Sequence, residues 1–259
     1  MVDLHSHIIW DIDDGAKSKD MTLNMLKIAE ANGTRKIVAT PHFYRGVWEV
    51  HSHEVEKRIE DVKTLAKENN IDIEIYSGQE VYYSENILEY YNEGLISTIN
   101  NSRYMLIEFP MKEFNMSEAV DNIYELQLKG IVPVMAHPER YRQFIKNPIL
   151  INKFIKEGFL FQLNAGSLVN HFGKEVRKTA EIFLKNNLYS FIGSDGHRDE
   201  KRDTNLKAGM DVIKTINSDC INIFKENGEA AIENREVIFN GKKITENKKG
   251  FLGKIFGLK

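Results

Sequence analysis

One cysteine, five prolines and no long apolar run define what this 259-residue chain lacks. A lone thiol excludes an intrachain disulfide and agrees with a reducing, cytoplasmic setting. No apolar stretch approaches the roughly 20 residues that cross a bilayer. Asp3, His5 and His7 interrupt the N-terminal segment where a signal peptide would need an unbroken apolar core. A net charge of −3 gives no reason to expect nucleic acid as a partner. Cysteine-based phosphoryl chemistry is excluded as well. It needs an arginine six positions after the thiolate, and six positions after Cys220 stands Glu226, which would repel a phosphate.

What is present suits one large α/β domain, with 42% hydrophobic and 28% charged residues. Apolar, β-branched stretches alternate with helical patterns. The spacing predicts strands at 2–5, 36–40, 71–77, 104–109, 131–136, 160–163 and 189–192. Helices are predicted at 21–32, 52–69, 117–129, 148–157, 175–186 and 206–216. Such alternation, with polar residues after the strands, predicts a closed and mostly parallel barrel whose site lies at the strand C-terminal ends. The barrel domain is expected to span residues 1–240. Residues 241–259 differ, with six lysines against one glutamate and Phe251, Leu252, Ile255, Phe256 and Leu258 at helical spacing. That basic amphipathic tail suits either contact with an anionic membrane surface or a partner, or a frayed end, which Gly250, Gly253 and Gly257 favour.

His5 and His7 carry the most information. Two residues apart on a strand, they project to the same side and can reach one metal ion. Asp195 and His197 repeat this spacing, and His42, Glu80, Glu108 and His137 follow other apolar segments. Asp11, Asp13 and Asp14 add carboxylates in the first loop. Imidazoles mixed with carboxylates, and no thiolates, suit manganese, iron or zinc. His51 and His53 copy the first motif, but they open a helix, where residues two apart diverge by about 200°. They are read as solvent-facing, and His171 as a cap or surface residue. Phe43, Tyr44, Arg45 and Trp48 form a loop that either overhangs the metals or packs on the rim. Asn164 is read as a donor that orients a ligand, and Tyr82 and Tyr83 as packing residues.

These residues resemble a known family. The motifs Asp3-Leu4-His5-Ser6-His7, Asp11-Ile12-Asp13-Asp14-Gly15, Thr40-Pro41-His42, Gly78-Gln79-Glu80, Leu106-Ile107-Glu108-Phe109, Ala136-His137-Pro138-Glu139-Arg140-Tyr141 and Ser194-Asp195-Gly196-His197 are similar to those of the polymerase-and-histidinol-phosphatase (PHP) superfamily. Within it, the chain resembles the manganese-dependent tyrosine-protein phosphatases of bacterial capsule and exopolysaccharide loci. The resemblance covers the chain to about residue 240 and implies a distorted (β/α)7 barrel. It also implies three divalent cations, manganese first, with iron or zinc as alternatives. His5, His7 and Asp195 would hold the first, with Glu80 bridging to a second completed by Glu108 and His137. Asp14, His42 and His197 would hold the third. Arg140 matches an arginine that binds substrate phosphate, and Arg202 matches a second one more loosely. The implied substrate is a phosphotyrosine protein, the tail of a membrane-bound bacterial tyrosine kinase, which would place the chain in the cytoplasm or at the inner membrane face. Two other readings stand beside it: a small-molecule phosphatase such as one acting on histidinol phosphate, and a non-catalytic scaffold. No ligand position is substituted, which argues against the scaffold.

Overall fold

The computed structural model describes residues 1–245. Among the described residues there are ten strands: β1 (Val2–Ser6), β2 (Lys36–Ala39), β3 (His42–Tyr44), β4 (Trp48–Glu49) and β5 (Glu74–Ser77), then β6 (Glu80–Tyr82), β7 (Tyr104–Glu108), β8 (Val132–Ala136), β9 (Leu160–Asn164) and β10 (Phe191–Gly193). They form a sheet in the order β1-β2-β5 and a larger one in the order β10-β9-β8-β7-β6-β3-β4. Every pairing is parallel except β3 with β4.

The two sheets are parts of one distorted seven-stranded barrel. Two of the seven strand positions are each broken in the middle. Pro41 has no N–H to continue a ladder, so the second strand stops at Ala39 and resumes at His42 in the other sheet. The third breaks at Gly78-Gln79, where a Cβ on Gly78 would lie 3.0 Å from Val38 and 3.2 Å from Thr40. The ring closes between its first and last strands. Asp195 N donates to His5 O at 2.8 Å, and His7 N donates to Gly196 O at 2.9 Å. Buried Asp3 reinforces this seam by accepting from Ser194 N at 2.8 Å.

Apolar side chains from β1, β2, β7, β8, β9 and β10 (Val2, Leu4, Val38, Leu106, Val134, Leu160 and Phe191) form one buried cluster. Two further clusters join the sheets to the helices, one of them holding Met25, Leu26, Val55, Ile59 and Val62 from the helices Lys19–Ala31 and Ser52–Glu68. Ser18 caps the first of these through the Met21 N–H, and the helix Met116–Leu128 is capped by Asn115.

Four local features differ from the sequence expectation. The loop after His42 is a hairpin of β3 and β4. The expected 148–157 helix is a 3-10 turn, Pro148–Ile151, followed by the short helix Asn152–Lys156. Helices Ile87–Asn92 and Cys220–Ile232 were not anticipated. Cys220 is fully buried, more so than expected, and burial pushes its thiol up to about 11. Beyond the helices, Lys242 N donates to Asn186 O, and Ile244 exchanges two 2.8 Å hydrogen bonds with Asn152. The apolar residues of the tail, 251–258, lie outside the described residues.

Gly193 shows how tightly the seam is built: a Cβ there would sit 2.5 Å from His5 Cβ and 2.9 Å from His5 N. Gly193→Ala is expected to cost about 3 kcal/mol, the upper part of the usual overpacking range. Thermal unfolding should fall by about 6–12 °C. An unchanged melting temperature would contradict the tight seam.

Candidate metal centre

All nine candidate ligands meet at one end of the barrel. His5 lies on β1, and His7 follows that strand. His42 and Glu80 open β3 and β6 as register partners, so the two strand breaks bring them side by side. Glu108 ends β7, His137 follows β8, and Asp195 and His197 follow β10. The first loop supplies Asp14. The five histidines, Glu80 and Asp195 are buried. His137 and Asp195 have left-handed backbone, at φ 30° and 50°, a conformation that non-glycine residues hold only when their surroundings impose it.

The spacing is that of ligands around shared ions. Glu80 Oε2 lies 3.2 Å from each of His5 Nε2, His7 Nε2 and His42 Nδ1. Asp195 Oδ1 is 3.7 Å from both His5 Nε2 and His7 Nε2. His137 Nε2 is 3.0 Å from Glu80 Oε1 and 3.6 Å from Glu108 Oε1. Asp14 Oδ1 is 3.4 Å from the Nε2 atoms of both His42 and His197. Two ligands on one cation with bonds of about 2.1 Å stand about 3.0–3.4 Å apart. Glu80 Oε2, Asp14 Oδ1 and His42 Nδ1 are buried without hydrogen-bond partners. Glu80 Oε2 is thus close to three ring nitrogens yet bonded to none, because the donor atoms point toward common centres rather than at each other. Three overlapping groups could hold a cation: His5, His7 and Glu80; His42, Glu80 and Glu108; and His7, Asp14, His42 and His197. The donor set fits divalent metal ions.

Electrostatics divides the imidazoles. Burial pushes His137 and His197 down to about 4, helped by Arg140 and His7 respectively, so both are neutral at neutral pH, and burial lowers His42 as well. At His5 and His7 the carboxylates Glu80 and Asp13 outweigh burial and raise the imidazoles, so a cation there would displace a proton. Burial acts to raise Glu80, but His5, His42 and His137 hold it well below the usual carboxylate range. Glu108 is driven well above that range by burial and by the neighbouring Glu80 charge.

A supporting shell fixes these groups. His7 Nδ1 is 2.7 Å from Asp13 Oδ2, which also accepts from His42 N, so Asp13 orients two ligands while exposed Asp11 stands apart. His5 Nδ1 meets Gln162 Oε1 at 3.0 Å. Asn164 donates to Asp195 Oδ2 at 2.7 Å, the orienting contact expected of it. Arg140 donates to Asp195 Oδ2 at 2.7 Å and Arg202 to both its oxygens at 2.9 Å. Asp195 is held far below the usual range despite burial, by Arg202, His197 and Arg140.

Four supporting residues were missed by sequence reasoning, Gln162 and three more. Arg198 clamps the carbonyls of Asp14, Gly15 and His197. Glu139 is fully buried and accepts from Asn164 N, Ser167 and Tyr189, pinning the turn that carries Arg140. The Phe172 ring lies 4.4 Å from the Arg140 guanidinium carbon and 5.6 Å from that of Arg202. None stands at a telltale spacing from a ligand, although Glu139 and Arg198 each adjoin a site residue. His51 and His53 belong to no metal-binding group among the described residues. His53 and His171 are exposed and His51 half-buried. Asp199 accepts from Asn24.

Cations should therefore relieve the repulsion among the four carboxylates. Manganese at about a hundred times its dissociation constant is expected to add about 2.7 kcal/mol, raising the melting temperature of chelator-treated protein by about 5–10 °C. The rise should shrink in His5→Ala and His7→Ala. No rise in the unmodified chain would contradict the reading of the donor set.

Residues 1–233 match the family described as capsular polysaccharide synthesis, CpsB/CapC. The tyrosine-protein phosphatase YwqE of Bacillus subtilis is 30% identical over 92% of this chain and 93% of its own length. The tyrosine-protein phosphatase CpsB of Streptococcus pneumoniae is 33% identical over 82% and 89%. The fold superposes with a TM-score of 0.90, at 29% identity and over 95% of this chain and 100% of the other, on a crystal structure from work on YwqE and CpsB, described as unique metal-dependent tyrosine phosphatases. With the family match over residues 1–233 and the agreement in fold, the chain belongs to the CpsB/CapC family.

Proposed function

We propose that this protein is a metal-dependent protein-tyrosine phosphatase. It hydrolyses phosphotyrosine without a cysteine intermediate and acts in capsule or exopolysaccharide synthesis. The single observation that carries the reading is the convergence of nine oxygen and nitrogen donors beneath two arginines. Bound there, divalent cations supply Lewis-acid charge and lower the pKa of a water toward neutrality. We assign His5, His7, Asp195 and Glu80 to a first cation, Glu80, Glu108 and His137 to a second, and Asp14, His42 and His197 to a third, with manganese as the favoured ion.

The chain's own groups supply the rest. A phosphate monoester is a dianion, and the Arg140 and Arg202 guanidinium forks match its oxygens. The Phe172 ring lies within cation–π reach of both guanidinium groups and helps to hold them at the site. Asp195, shared by the two arginines, fixes where their charge is delivered. Tyrosine leaves as a phenolate of pKa about 10, so the departing oxygen needs less protonation than an alkoxide. This agrees with a site in which no acid stands out for that task. The substrate we infer is the tyrosine-rich tail of a membrane-bound tyrosine kinase, met from the cytoplasm. No helix among the described residues is long and apolar enough to cross a membrane.

With manganese, a phosphotyrosine peptide should be turned over far faster than histidinol phosphate or a phosphoserine peptide. The reverse order would overturn the assignment in favour of a small-molecule phosphatase. Arg140→Ala should lower kcat/KM by about 100-fold or more, the usual cost of one charge-stabilising donor. Phe172→Ala should act mainly on KM, by about 3- to 10-fold, and Phe172→Tyr should restore it. Equal loss of kcat and KM effects in the two Phe172 variants would contradict the cation–π role.

A further inference from the structure

Beside the metal centre lies a cleft of about 380 Å³ that the phosphate chemistry does not use. Tyr44, Arg45, Tyr82, Tyr83, Tyr90 and Pro110 line it. Its position follows from strand register. His42 and Tyr44 share one face of β3, and Glu80 and Tyr82 share one face of β6, because side chains alternate along a strand. His42 and Glu80 are register partners. Tyr44 and Tyr82 therefore stand one step further out on the same two strands, stacked with ring centroids 4.0 Å apart and planes 17° from parallel. Tyr82 is also the register partner of Glu108, so the cleft borders the cluster on that side as well.

We infer that this cleft is a specificity subsite which receives a large aromatic side chain flanking the phosphotyrosine of the substrate. The inference rests on the tyrosine-phosphatase reading and deepens it. Two residues along a strand span about 6.6 Å, and successive Cα atoms of an extended peptide are about 3.8 Å apart. A peptide with its phosphotyrosine at the metal centre thus delivers the residue one or two positions away to the cleft. The volume is at the low end for small-ligand sites, which run from about 300 Å³, and suits one side chain rather than a folded element. Its walls favour a flat group: four tyrosines and a proline offer ring faces and edges, beside the polar Ser84 and Asn86. The one cation, Arg45, is already paired with Glu49 at 3.0 Å and lies over Tyr90. Glu85, which also lines the cleft, opposes an acidic occupant.

The test uses the manganese-loaded enzyme and phosphotyrosine peptides that differ only at the two positions on either side of the phosphotyrosine, carrying Phe, Leu, Ala or Asp. On one side, Phe should exceed Ala by about 5- to 20-fold in kcat/KM, mostly through KM, with Asp poorest. In Tyr44→Ala and Tyr82→Ala that preference should collapse to within about twofold, while Tyr82→Phe keeps it. Turnover of para-nitrophenyl phosphate, which has no flanking residues, should stay within about twofold throughout. Equal turnover of all peptides by the unmodified enzyme, a preference for Asp, or equal loss on peptide and para-nitrophenyl phosphate in the Tyr82 variants would overturn the subsite. Absence of para-nitrophenyl phosphate turnover in the unmodified enzyme would instead overturn the hydrolase reading itself.

Discussion

Asp14, Glu80, Glu108 and Asp195 converge on one pocket at the end of the barrel, and their mutual repulsion is the constraint on which the rest depends. Like charges in a low-dielectric site cannot all ionise without compensation. The chain answers partly with its own groups. Arg140 and Arg202 hold Asp195, while Glu80 stays ionised among imidazoles at the expense of Glu108. The balance leaves buried oxygens and nitrogens with no partner. Divalent cations held by these side chains would complete it, supplying the positive charge that the four carboxylates lack. A phosphate dianion would then meet net attraction where the side chains alone offer much acid.

Backbone irregularity is how the barrel reaches that arrangement. A regular barrel would end its second and third strands before His42 and Glu80. Pro41 and the Gly78-Gln79 step instead let both strands restart in the neighbouring sheet, which brings the two side chains into register. The seam between β1 and β10 does the same for His5, His7 and Asp195, and it holds only because Gly193 leaves room for His5. Left-handed backbone at His137 and Asp195 adds local strain at two ligand positions, which the surrounding hydrogen bonds must sustain.

The convergence of His5, His7, Asp195 and His197 was legible in the sequence because their spacing is short-range physics, while Asp14 was singled out only through the family resemblance. Pairs at i, i+2 after an apolar strand report a common face, and the same rule separated His51 and His53 from the true cluster. The number of strand positions was legible from alternation. What escaped depended on contacts across the fold. The helix Cys220–Ile232 contains Gly228, a poor helix former, which is tolerated because a Cβ there would come 2.7 Å from Val2. The hairpin after His42 is visible only once Tyr44 is seen to pair with Trp48. Phe172, Glu139 and Arg198 act through partners far away in sequence and match no spacing rule. Tyr82 and Tyr83 looked like packing residues, and Tyr44 stood in a loop with both a substrate-facing and a packing reading; the Tyr44–Tyr82 stack is packing, and register is what places it beside the site.

Anomalous diffraction from crystals grown with manganese tests the central claim most directly. The account predicts three peaks within a few ångströms of one another: one among His5, His7 and Asp195, one beside Glu108 and His137, and one among Asp14, His42 and His197, with Glu80 between the first two. A single peak, or peaks remote from Glu80, would contradict it.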